Sequence, residues 1–233
     1  MDTAHFTEQA VLSLPAENSL AFLRRVFACW EDGRLFAITR DPATLQDLGL
    51  PVEVLPVEED AGNAAGGWGR FSHQPRFSDA PAQIVFSSGT EGRPKAILLS
   101  HRNLADVVTR LNDVMGVTDE IREYIGVPVT YSFGLGRARA VATAGGSFFL
   151  PERFDPVQIR DMLAAGDINA VSAVPSLWRQ VLAAPGVIGT LGEKLRWIEI
   201  GSQYMAAADK LALRRLFPNA RIVQHYGLTE ASR

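Results

Sequence analysis

From residue 84 onward, short apolar runs alternate with stretches whose apolar residues recur every three or four positions. The runs fall at 84–86, 124–127, 147–150, 170–174, 197–200 and 222–226. Continuous runs of this length suit strands covered on both faces, and the longer spacing suits helices that bury one face. Leu104, Val107, Val108, Leu111 and Met115 make one helical stripe, with Ser100 ahead of it as an N-cap. Asp155-Pro156, then Ile159, Met162, Leu163 and Gly166, reads as cap, first-turn proline, buried face and C-terminal glycine. Met205, Ala208, Ala212 and Leu216 form a further stripe, stopped by Pro218. Strand–helix alternation of this kind predicts an α/β fold with a mostly parallel β-sheet layered with helices.

The first part of the chain is less regular. A helix is expected over 21–30, strands over 35–39 and 52–57, and a short helix near Leu45. The stretch AGNAAGGWGR at 61–70 is too small and glycine-rich to bury much, and is expected to be a flexible connection. That composition shift divides an N-terminal α/β portion, 1–75, from the remainder, 76–233. Neither an internal repeat nor a heptad pattern is present.

The chain has 233 residues, 47% hydrophobic and 21% charged, enough for one large core or two smaller ones. A net charge of −3 gives no electrostatic reason to expect nucleic acid or an anionic membrane as partner. Cys29 is the single cysteine, so no internal disulfide can form, and a reducing, cytoplasmic location is expected. The N-terminal segment lacks a basic start and an unbroken apolar run, and no stretch approaches the roughly 18 apolar residues of a membrane span.

Chemistry concentrates where the run at 84–86 ends. Ser87, Ser88, Gly89, Thr90, Glu91, Gly92, Arg93, Pro94 and Lys95 follow a strand and precede a second apolar run. Glycines let several backbone N–H groups converge on one anion, hydroxyls add donors, and Lys95 adds a positive charge. A surface turn between two strands accounts for the same composition equally well. The Walker phosphate loop is excluded, because Pro94 stands in its second glycine slot and Ala96 follows the lysine.

The stretch 87–95 resembles the phosphate loop of the adenylate-forming superfamily, which includes acyl-CoA synthetases and the adenylation domains of peptide synthetases. It departs at Glu91, where that family usually has Thr. A second motif, QHYGLTEAS at 224–232, resembles the family's Tyr-Gly-X-Thr-Glu signature at Tyr226, Gly227, Thr229 and Glu230. Between the two, the segment from Pro128 through Tyr131, Phe133 and Gly134 to Leu135 is similar to a stretch bordering the acyl pocket. Val174-Pro175 and the loop Gly201, Ser202, Gln203 also resemble family segments. On their own evidence, Tyr131 and Phe133 serve equally as core aromatics, and Gly201 as a plain strand-to-helix turn.

The resemblance implies a Mg·ATP-dependent ligase that converts a carboxylic acid to an acyl-adenylate, then transfers the acyl group to coenzyme A or a carrier protein's phosphopantetheine. It implies that Lys95, Thr229 and Glu230 act in catalysis, with Glu230 holding Mg²⁺. Residues 87–92, Lys95, 201–203, Tyr226, Gly227 and Thr229 would bind the nucleotide. Tyr131, Phe133, Gly134 and Val174 would border the acid. On this reading 76–233 is a nucleotide-binding core. The sequence stops just after the second motif, so the chain is expected to be an incomplete part of the large domain, without the family's small C-terminal domain and with a tendency to self-associate. The alternative is a non-catalytic nucleotide- or acyl-binding module that keeps the fold.

Overall fold

The computed structural model describes residues 10–39, 41–55, 66–87 and 95–228. Its strands in chain order are β1 (Val11–Pro15), β2 (Phe36–Thr39), β3 (Val52–Val54), β4 (Gly67–Gly69), β5 (Pro81–Ser87), β6 (Lys95–Ser100), β7 (Arg122–Ile125), β8 (Ser147–Leu150), β9 (Ala170–Ala173), β10 (Trp197–Ile200) and β11 (Arg221–Gln224). They form two sheets, ordered β3-β1-β2-β5-β6 and β11-β10-β9-β7-β8-β4. Among the described residues, β5–β6 and β4–β8 pair antiparallel and the other pairings are parallel. The helices are α1 (Leu20–Asp32), α2 (Ala43–Gln46), α3 (His101–Met115), α4 (Ser132–Ala144), α5 (Pro156–Ala165), α6 (Pro175–Ala183), α7 (Pro185–Ile188) and α8 (Ala207–Leu216). The expected α/β class and mostly parallel pairing are thus observed.

Strand alternation distributes the side chains among three cores. Leu12, Leu14, Phe36, Ile125, Phe148 and Leu150 meet α1, α3 and α4 in a core shared by the inner faces of both sheets. Tyr124, Phe149, Val171, Ile198 and Ile200 point the other way, toward α5, α6 and α8. Val11, Ala37 and Ile84 cover the outer face of the first sheet. Because the second sheet is covered on both faces, its strands read as continuous apolar runs rather than as alternating ones.

The helix ends follow their local signals. Ser100 and Asn103 form a reciprocal capping box at the start of α3. The Asp155 carboxylate accepts from Val157 N at 2.8 Å, and Gly166 closes α5 at φ +79°.

One feature differs from expectation. Within the expected flexible connection at 61–70, Gly67, Trp68 and Gly69 form β4, an edge strand on β8, and Trp68 packs on Phe149. Residues 61–65 lie outside the described residues. Strands β5 and β6 join the N-terminal sheet, whereas β4 joins the C-terminal one. Helix α4, for which no stripe marks the sequence, carries none because residues 133–142 are buried all round.

Candidate functional site

Parallel pairing places the carboxyl ends of β7, β9, β10 and β11 along one edge of the second sheet. From β7 the chain runs through α4 to β8 on one side, and from β9 through α6 to β10 on the other. The reversal makes a topological switch point, where open α/β sheets place ligand clefts. Residues 126–131, Val174, 201–204 and 225–227 all follow the ends of these strands.

The loops after β10 and β11 enclose a cavity of about 600 Å³, lined by Ser202, Gln203, Tyr204, Lys210, Gln224, His225, Tyr226 and Gly227. Lys210 Nζ donates to the Gln224 side-chain oxygen at 3.0 Å, and the Gln224 amide donates to the Gln203 carbonyl at 3.0 Å. This chain of bonds fastens α8, β11 and the β10–α8 loop together. Tyr204 and Tyr226 are 79% and 87% exposed, which leaves their rings open to a flat ligand. Ser202 has φ +69°, a left-handed conformation uncommon for a residue with a Cβ. Beside it, Gly201 is required by packing: a Cβ there would sit 2.7 Å from His225 Cε1 and 2.9 Å from the Phe133 ring.

Of the residues expected from the sequence, the cavity therefore unites Ser202, Gln203, Tyr226 and Gly227, which come from two distant motifs. Tyr131, Phe133, Gly134 and Val174 do not line it. Tyr131 is exposed at the start of α4, and Phe133 is a buried core aromatic whose ring meets His225 edge-on at 5.2 Å. Gly134 lets α4 approach the Pro128 carbonyl, which a Cβ would meet at 2.3 Å. Val174 is partly buried against the shared core ahead of α6. The Val129 N–H donates to the Asn18 side chain at 3.0 Å, tying this loop to the segment between β1 and α1.

Ser87 and Lys95 are paired across the antiparallel β5–β6 ladder, with Lys95 exposed. Ser88, Gly89, Thr90, Glu91, Gly92, Thr229 and Glu230 lie outside the described residues. Among the described residues no His, Cys, Asp or Glu cluster of metal-binding size occurs, and no helix is long and apolar enough to cross a membrane.

The sequence reading missed a buried charge cluster behind the cavity wall. Glu123 and Glu199 sit on the inner face of β7 and β10, where alternation points them at α4. There Arg137 Nε and Nη2 donate to the two oxygens of Glu123 at 2.9 and 2.6 Å, and Nη1 lies 2.5 Å from Glu199. Burial alone would lower the Arg137 pKa, but Glu123 and Glu199 outweigh it and raise the pKa, holding the guanidinium charged. Glu199 is also paired with His225 Nδ1, at 2.7 Å. A carboxylate inside each of the apolar strands WIEI and REYI is the signal that could have revealed this cluster.

The chain is similar to several known proteins. The chain is 27% identical over 239 residues to a feruloyl-CoA synthase from Amycolatopsis, covering 92% of this chain and 48% of that protein. It is 24% identical over 155 residues to surfactin synthase subunit 2 of Bacillus subtilis, covering 65% of this chain and 4% of that one. The chain thus spans about half of the first relative and a small part of the second. The fold matches ATP-bound MatB from Rhodopseudomonas palustris with a TM-score of 0.74 at 23% identity, over 96% of this chain and 50% of that one. It matches a malonyl-CoA ligase in complex with methylmalonyl-CoA and AMP with a TM-score of 0.76 at 21% identity, over 94% and 52%. The AMP-binding enzyme family matches residues 14–233, and the chain belongs to it.

Proposed function

We propose that this chain is the nucleotide-binding part of a ligase that activates a carboxylic acid with ATP, forming an acyl-adenylate and then a thioester with coenzyme A or a carrier protein. The observation that carries this reading is the convergence of two distant loops, 201–204 and 224–227, on one cavity in a chain of the AMP-binding family. Its volume lies within the ordinary range for small-ligand sites, about 300–1,000 Å³. Exposed aromatic rings, side-chain amides and the Lys210 ammonium suit a nucleotide's flat base, polar edges and negative charge.

In the first step a carboxylate oxygen attacks the α-phosphorus of ATP. The bond from that phosphorus to the bridging oxygen breaks, and pyrophosphate leaves with the electron pair. No proton transfer is needed, so the protein contributes alignment and charge stabilisation. In this reading Tyr226 stacks on the base and the backbone at 201–203 passes beside it. Lys95 and the hydroxyls of Ser87, Ser88 and Thr90 hold the outer phosphates. Thr229 would bond the α-phosphate, and Glu230 would hold Mg²⁺, which would supply charge neutralisation at the phosphates. Tyr131, at the carboxyl end of β7, borders the path of the acid.

The test is a calorimetric titration of the folded chain and of Lys95→Ala with Mg·ATP. Binding that weakens at least fivefold in Lys95→Ala supports the reading. Equal binding by both removes Lys95 from the site, and no binding by folded wild-type chain contradicts the reading.

A further inference from the structure

We infer that Lys210 is a positioning residue for the cavity: through the Gln224 amide it holds a strained turn at Gly201, Ser202 and Gln203 in the form that presents Ser202 to the ligand. The inference rests on the nucleotide-site reading and adds a residue that no motif of the sequence marks.

Three observations converge on it. First, the Gln203 N–H donates to the Gly201 carbonyl at 2.9 Å across Ser202, whose φ is +69°. A bond that spans one residue, with left-handed backbone at its centre, is a γ-turn of the rare and strained kind. Such backbone persists only where its surroundings over-determine it, and it clusters at ligand sites. Second, the brace on this turn has one orientation. An ammonium only donates and a backbone carbonyl only accepts. Lys210 Nζ therefore meets the Gln224 oxygen, at 3.0 Å, and the Gln224 Nε2–H meets the Gln203 carbonyl, also at 3.0 Å. Among the described residues no carboxylate lines the cavity, so the charge of Lys210 falls on that amide and strengthens its bond to Gln203. Third, both ends of the brace stand on regular elements. Gln224 lies on β11 in register with Ile200 of β10, and Lys210 lies on α8, which Leu213 anchors in the core. The turn is thus held from outside its own loop, and Ser202 at its tip is exposed and lines the cavity.

Lys210→Met keeps the apolar stem and removes the donor, whereas Lys210→Arg keeps a charged donor. Adenosine, which carries no phosphate, separates positioning of the turn from direct attraction to charge. In calorimetry on folded proteins, adenosine affinity is expected to weaken about tenfold in Lys210→Met and less than about threefold in Lys210→Arg, with AMP following the same order. NMR of the unliganded chain gives a second readout. The nuclear Overhauser effect between the Ser202 amide proton and its own Hα is strong for left-handed backbone. It is expected to be strong in the wild type and Lys210→Arg, and to weaken in Lys210→Met. Unchanged adenosine affinity in folded Lys210→Met, a loss seen with AMP alone, or an unaltered Ser202 signal in that variant overturns the inference. If the wild-type chain binds neither adenosine nor AMP, the nucleotide-site reading fails, while the Ser202 signal still decides whether Lys210 holds the turn.

Discussion

Arg137 grips Glu123 through two parallel hydrogen bonds, at 2.9 and 2.6 Å, and solvent reaches neither side chain. With Glu199 also in contact, one cation is shared by two carboxylates that the strand alternation directs inward. Removing one partner of such a group leaves uncompensated buried charge. Arg137→Met is expected to destabilise the chain by about 3–5 kcal/mol in urea unfolding. Neutralising the carboxylates in the triple variant Arg137→Met, Glu123→Gln, Glu199→Gln is expected to recover most of that loss. A loss below about 1 kcal/mol in the single variant would contradict the assignment of a paired, buried cluster.

Acid is expected to weaken the fold through His73. Burial, then the charges of Arg139, His101 and Arg76, lower its pKa from 6.5 to about 4. The ring stays neutral in the folded chain while the unfolded chain takes up a proton below pH 6.5. Stability is therefore complete above that pH and falls as pH drops toward about 4, by on the order of 3 kcal/mol from this group. His101 is lowered too, first by burial and then by Arg76, and adds to the same slope. Urea midpoints from pH 7 to 4.5 should fall less steeply in His73→Leu; an unchanged slope would show that His73 is not the group responsible.

Cys29 is expected to be chemically silent in the folded chain. Burial pushes its thiol up to about 11, outweighing the opposing pull of Arg34. It is only 4% exposed within α1. Labelling by an aromatic disulfide reagent at pH 8 should proceed at the rate of unfolding and accelerate in urea. Rapid labelling in buffer alone would be inconsistent with that burial.

Gly201→Ala is expected to disturb stability and binding together. Its Cβ would meet His225 and Phe133 at distances no side chain tolerates, forcing the loop after β10 to shift. Overpacking of this kind costs about 1–3 kcal/mol. Nucleotide affinity should fall as well, because Ser202 and Gln203 are carried by the same loop. An alanine variant with wild-type melting temperature and affinity would refute the close packing of Gly201.

Much of this fold is legible in local sequence. Ser100 with Asn103, Asp155-Pro156 with Gly166, and the apolar runs at 147–150 and 197–200 each specify their element through nearby residues. Helix α4 is not legible in that way, because burial on all sides erases the periodicity that marks a helix. Strand β4 is hidden by its two glycines, since its pairing comes from Phe148, Phe149 and Leu150 far along the chain. In the candidate site, Ser202, Gln203, Tyr226 and Gly227 were marked by their motifs. Arg137, Glu199 and His225 come from three elements and become one group only after the sheet and α4 are assembled. Tyr204, Lys210 and Gln224 were missed for the same reason.

The most direct measurement is backbone amide NMR of the chain titrated with AMP. The largest shifts are expected at 201–204 and 224–227, at the carboxyl ends of β10 and β11. A second, polar cavity of about 650 Å³, lined in part by Arg122, Lys194 and Arg196, lies at the amino ends of β7 and β10 and serves as the internal comparison. Shifts confined to 201–204 and 224–227 would establish the nucleotide site at the carboxyl edge; shifts centred on Arg122, Lys194 and Arg196 would contradict it.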